Sequence, residues 1–118
     1  MASKTPELHE KNETKNVHEG HRERLRQRFL KDGLESFEPH NVLELLLFYS
    51  IPIKDTNGLA HELIERFGSL NGVFDASYEQ LLEVEGVGEN TALLLSLIPS
   101  VCRRYAEGKR KGKIKLTE

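Results

Sequence analysis

The sequence predicts an all-α fold, a compact bundle of about five helices with flexible termini, and three observations carry that prediction. Apolar residues recur at i, i+3, i+4 and i+7 in successive segments, no stretch alternates with the period of two that a half-buried strand requires, and prolines, glycines and cap residues punctuate the chain at helix-length intervals. At 118 residues, 37% of them hydrophobic, the chain is the size of one domain.

Residues 1–17 offer only Leu8 and Val17 as sizeable apolar groups and no period, which predicts a flexible arm that cannot offset its ordering entropy. The folded part is expected over residues 18–107. Its first helix, around HRERLRQRFLKDG, has a narrow stripe of Leu25 and Phe29 flanked by Arg22, Arg24, Arg26 and Arg28, with Gly33 as its stop. Pro39 opens PHNVLELLLFYSIP, which is apolar nearly all round and should be the most buried helix, with Pro52 ending it. Asp55, Thr56 or Asn57 can cap a third helix with the stripe Leu59, Ala60, Leu63, Ile64 and Phe67, closed by Gly68.

A short turn around Leu70, Val73 and Phe74 follows, and Ser77, with Gln80 three residues on, caps a brief helix whose apolar side is Leu81, Leu82 and Val84. The last helix begins near Glu89 and carries Ala92, Leu94, Leu95, Ile98, Val101, Cys102 and Tyr105, with Pro99 expected to kink it. Residues 108–118 (GKRKGKIKLTE) have the composition of a basic linker or tail.

The formal charge of −2 conceals opposed blocks. Residues 1–33 hold 8 basic and 6 acidic groups, residues 34–102 hold 2 and 11, and residues 103–118 hold 7 and 2. A uniformly basic nucleic-acid binder is thereby excluded, while a binder with basic ends is not. One cysteine, Cys102, cannot make an internal disulfide or a multi-cysteine metal site, which fits a reducing cytoplasm, and its place on an apolar stripe predicts a buried structural thiol. No signal peptide or membrane span is expected.

The stretch LLEVEGVGENTALLL carries the most mechanism. Gly86 and Gly88 permit positive φ and close backbone approach, Val87 can plug the space between flanking helices, and Ala92 allows tight packing. This arrangement resembles a helix-hairpin-helix motif, in which hairpin and helix-start amides hold a phosphate oxygen without reading a base. A plain tight turn between two helices is the structural alternative. Glu83, Glu85 and Glu89 surround the glycines, and Asn90 and Thr91 can donate hydrogen bonds but no charge, so cations must come from Arg22, Arg24, Arg26, Arg28, Lys54, Arg103, Arg104 and the 109–115 tail. The bland reading of the arginines is a solvated helix face laced to Glu19 and Glu23.

In combination, the segments GHRERLR (20–26), LELLLF (43–48), IPIKDT (51–56), FGSL (67–70) and the Gly-Val-Gly hairpin resemble the N-terminal domain of the RadC family over about residues 18–107. Ile53 departs from the basic residue expected between Pro52 and Lys54. The resemblance implies a domain with a DNA-repair label that ordinarily precedes a JAB/MPN domain, a metal-dependent hydrolase-like fold with a His-x-His and a downstream Asp. No His-x-His occurs in this chain.

No catalytic residue, metal site or cofactor is expected. His18 and His21 lack a third ligand at suitable spacing, His40 should be an exposed first-turn residue and His61 a helix-face residue. Glu83 and Glu85 fall on solvated helix ends rather than forming an acid/base dyad. Two functional classes follow: a weak, sequence-independent DNA-binding module, with Gly86, Val87, Gly88, Asn90, Thr91, Arg22, Arg24, Arg26, Lys54, Arg103 and Arg104 as its contacts, or a protein-interaction domain that docks on a JAB/MPN domain or self-associates.

Overall fold

The first residues mix the helix formers Lys4, Glu7, Leu8, Glu10, Lys11, Glu13 and Lys15 with Thr, Asn and His, in a run that reaches the predicted first helix with Pro6 near its start and no glycine before Gly20. In the computed structural model, which describes the backbone of residues 4–52 and 54–117 and side chains of 17–52 and 54–112, this run is one helix, α1 (Lys4–Asp32). The helix thus extends through the segment expected to be an arm. Its stop is Gly33, at φ 74°, whose amide donates to the Phe29 carbonyl.

Five further helices follow: α2 (Pro39–Leu47), α3 (Asn57–Phe67), α4 (Leu70–Asp75), α5 (Tyr78–Leu82) and α6 (Glu89–Thr117). The described residues contain no strand, so the all-α class holds with six helices rather than about five. The additional one is α4, expected as a turn. Ser69 makes it helical by accepting the Gly72 amide at 2.9 Å. Ser77 and Gln80 form the reciprocal capping box that the sequence signals at the start of α5.

The main core is built where α2, α3, α5 and α6 converge, from Leu43, Leu47, Leu63, Leu81, Val84 and Leu95 with smaller partners including Ala60, Val73 and Ala92. A second, smaller cluster of Leu25, Phe37 and Phe48 seats α1 on the start and end of α2. The nearly all-apolar α2 is less uniformly buried than its composition suggests. It ends at Leu47, before Pro52, and Tyr49 just beyond it is exposed, while its one carboxylate, Glu44, is fully buried.

Helix α6 passes through Pro99 and continues beyond the globule, so the residues expected to be a tail are helical to Thr117. Every residue from Val101 to Lys111 is exposed. Cys102 is among them, which corrects its expected burial: the apolar stripe carries on after the core has ended. The principal extents of 75 × 34 × 21 Å reflect these two long terminal helices.

Candidate nucleic-acid interface

The hairpin between α5 and α6 is tight because each residue has a local reason for its place. Val84 and Val87 amides turn back on the Leu81 and Val84 carbonyls at 3.1 Å each. Gly86 sits at φ 94°, a region costly for residues with a Cβ, and it packs beside Leu59 of α3. Val87 is buried in the core, so it serves the hairpin as a plug and is not a surface contact. Gly88 precedes α6, and its carbonyl accepts the Ala92 amide at 2.9 Å.

The amides of Gly88, Glu89, Asn90 and Thr91 find no acceptor among the described residues, as expected for the first turn of a helix without a side-chain cap. Their residues line a groove of about 710 Å³ between the hairpin and the loop that follows α2. Ser50, Pro52, Lys54 and Asp55 form the loop side, Leu59 and Glu62 the α3 side, and Glu85, Gly86, Gly88, Glu89 and Asn90 the hairpin side.

The loop is held from below by Arg22. Only 5% exposed, its guanidinium donates to the carbonyls of Phe48 at 3.2 Å, Ile51 at 2.6 Å and Lys54 at 2.8 Å, and lies 4.6 Å from the centre of the Phe48 ring. Burial pulls its pKa below the usual arginine value, partly opposed by Glu19. Arg22 is thus turned into the fold with three donors on loop carbonyls, and it positions the loop that carries Lys54. Thr91, 2% exposed, likewise turns its hydroxyl inward, where it pairs with Ser50 at 2.9 Å and ties the loop to α6.

Among the expected site residues, Lys54, Gly86, Gly88, Asn90 and Thr91 border one groove, and the remaining cations do not. Arg26 pairs with Glu19 at 3.3 Å and Glu23 at 3.1 Å, which raises its own pKa and, together with the hydrogen bond from Gln27, lowers that of Glu23. Arg28 lies over the Phe37 ring at 4.5 Å and donates to Ser36. Arg24 is exposed on α1, and Arg103 and Arg104 are exposed on the projecting part of α6. The groove itself presents one ammonium, Lys54, against the carboxylates of Asp55, Glu62, Glu85 and Glu89.

Sequence reasoning missed two parts of this arrangement. Asp55 is more than a cap candidate: its carboxylate accepts the Asn57 amide at 2.9 Å and also borders the groove. Glu44 underlies the α1–α2–α3 junction, accepting from His21 at 3.1 Å, Asn41 at 3.1 Å and Asn57 at 3.2 Å. A lone Glu in a run of leucines was its only signal. His40 and His61 stack with ring centres 4.1 Å apart, joining α2 to α3. Among the described residues no group of three or more His, Cys, Asp or Glu could hold a metal ion, and no helix is long and apolar enough to cross a membrane.

The UPF0758 N-terminal family model matches residues 17–93, which hold α2 to α5, the groove and the start of α6. The UPF0758 protein FN0909 of Fusobacterium nucleatum subsp. nucleatum is 45% identical over 80 residues, 68% of this chain and 34% of that protein. The UPF0758 protein SPO0054 of Ruegeria pomeroyi is 40% identical over 89 residues, 75% of this chain and 40% of that protein. The matched part is thus well under half the length of either relative, and no solved structure matches. The chain belongs to the UPF0758 family, RadC-like in its motifs, by way of that family's N-terminal domain.

Proposed function

We propose that the chain is an accessory DNA-binding-type domain in which α5, the Gly86-Val87-Gly88 turn and the start of α6 act as a helix-hairpin-helix unit. It holds the DNA backbone weakly and without reading bases. The observation supporting this reading is the run of unpartnered amides from Gly88 to Thr91 bordering the groove, where a phosphate gains both hydrogen bonds and the positive end of the helix dipole. Lys54 supplies one cation from the opposite side. Four carboxylates around the same groove set the affinity low, and Arg24, Arg26, Arg103 and Arg104 add the salt-sensitive remainder from outside it.

Fluorescence anisotropy of a labelled duplex at low ionic strength tests this. Binding should weaken steeply with added salt, weaken when Lys54 or Arg103 and Arg104 become Ala, and strengthen several-fold in Glu85→Gln/Glu89→Gln, since each removed carboxylate lies beside the bound phosphate. An unchanged anisotropy for every variant at low salt refutes the reading.

A second reading has its own observation. An apolar groove of about 580 Å³, walled by Phe29, Leu30 and Leu34 of the α1 end, Leu45 and Tyr49 near α2 and Phe74 of α4, suits docking on another domain, such as the JAB/MPN type implied by the family resemblance. Titrating this chain with a separately produced downstream part of a longer relative distinguishes the two: Leu30→Glu should abolish docking and leave DNA binding unchanged.

A further inference from the structure

The groove at the start of α6 does not end at Asn90. Ser50, Pro52 and Asn90 also border a second, shallower depression of about 460 Å³, whose remaining wall includes Tyr49, Leu93 and Leu97. Tyr49 is 72% exposed, Leu93 58% and Leu97 49%. Asn90, Leu93 and Leu97 follow one another at i+3 and i+4 spacing and share one face of α6, with Leu93 about 5 Å along the axis from Asn90. An aromatic and aliphatic surface therefore adjoins the unpartnered amides, within the reach from a phosphate to the base it carries. On the groove side Thr56 is 2% exposed, and its hydroxyl has no hydrogen-bond partner among the described residues, a polar group that a bound ligand would complete.

Resting on the reading of these amides as a phosphate site, we infer that the DNA held there is single-stranded, with the base beside the held phosphate stacked on Tyr49 in this depression. In a duplex both faces of a base are covered by its neighbours, so an exposed tyrosine has no ring to meet. An unpaired base has a free face, and stacking on an aromatic side chain is the usual way a protein holds one. Asn90, exposed where the two hollows join, offers its side-chain amide to the pairing edge of that base, an edge a duplex keeps occupied.

Charge favours the same choice. Asp55, Glu62, Glu85 and Glu89 repel every phosphate that comes near, and a duplex brings phosphates from two strands at fixed spacing. A flexible single strand can set one phosphate on the amides and Lys54 and turn its neighbours away from the carboxylates.

Fluorescence anisotropy at one low salt concentration tests the inference, with a labelled strand of about 16 nucleotides used alone and then paired with its complement. The single strand should bind about tenfold tighter than the duplex. Tyr49→Ala should remove most of that advantage and Tyr49→Phe should keep it, while neither alters duplex binding or the far-UV circular dichroism spectrum, since the ring is exposed. Equal affinity for the two forms, or undiminished single-strand binding by Tyr49→Ala, overturns the inference and leaves the backbone reading standing. Binding of neither form overturns both.

Discussion

Replacing Arg22 is the sharpest test of how the groove is built. In Arg22→Met the aliphatic stem keeps its packing and the guanidinium is lost, leaving the carbonyls of Phe48, Ile51 and Lys54 without their donor. Hydrogen bonds from a charged donor contribute at least about 1.5 kcal/mol each, so three give about 4–5 kcal/mol. Relief of the guanidinium's own burial offsets about 1–2 kcal/mol of that, because Ile51 and Lys54 carbonyls can partly rehydrate. A net loss of about 3 kcal/mol should lower the melting temperature by at least about 10 °C for a domain of this size. Arg22→Lys keeps a charge but not the fork that spans three acceptors, and should lose about 1–2 kcal/mol. Urea unfolding followed by circular dichroism measures both. A Met variant within about 0.5 kcal/mol of wild type refutes the assignment of Arg22 as the anchor of the 48–54 loop.

Four further substitutions probe the turns, the buried carboxylate and the surface charge. A Cβ at Gly72 would collide with the Phe67 carbonyl, so Gly72→Ala should lose more than about 3 kcal/mol, whereas Gly88→Ala, with nothing within 4 Å, should lose less than about 1 kcal/mol in the same urea assay. Glu44→Leu leaves the Asn41 and Asn57 amide donors and the His21 ring nitrogen without the acceptor they share, and should lower stability by about 1–3 kcal/mol. Glu23, with its pKa held down by Gln27 and Arg26, adds stability that is complete above its unfolded value near 4.5 and disappears as pH falls through the folded value. The urea midpoint of Glu23→Gln should therefore fall less than that of wild type between pH 6 and pH 3.

Much of the fold is legible because its signals are local. Gly33, Gly68 and the Ser77–Gln80 pair mark helix ends through their own backbone and hydrogen-bonding properties, and each stands where the sequence puts it. Gly86 is legible for the same reason, whereas Gly88 takes no positive φ and has open space beside it. What escapes is non-local. Arg22 looks like any arginine on a basic helix, and only the 48–54 loop folding over it turns a surface cation into a buried brace. Glu44 becomes buried because His21, Asn41 and Asn57 converge on it from three helices. The stripe of α6 reads as core throughout, yet Val101, Cys102 and Tyr105 lie past the last core layer, and periodicity carries no information about where the neighbours stop.

The unpartnered amides at the start of α6 are proposed to receive a phosphate. A ¹⁵N-resolved NMR titration with a short unlabelled duplex at low salt reads those amides one at a time. The largest shifts are expected at Gly88, Glu89 and Asn90, with smaller ones at Lys54 and Asp55, all reversed by added salt. Shifts confined to α1 and the outer part of α6, with the hairpin amides unmoved, would contradict it.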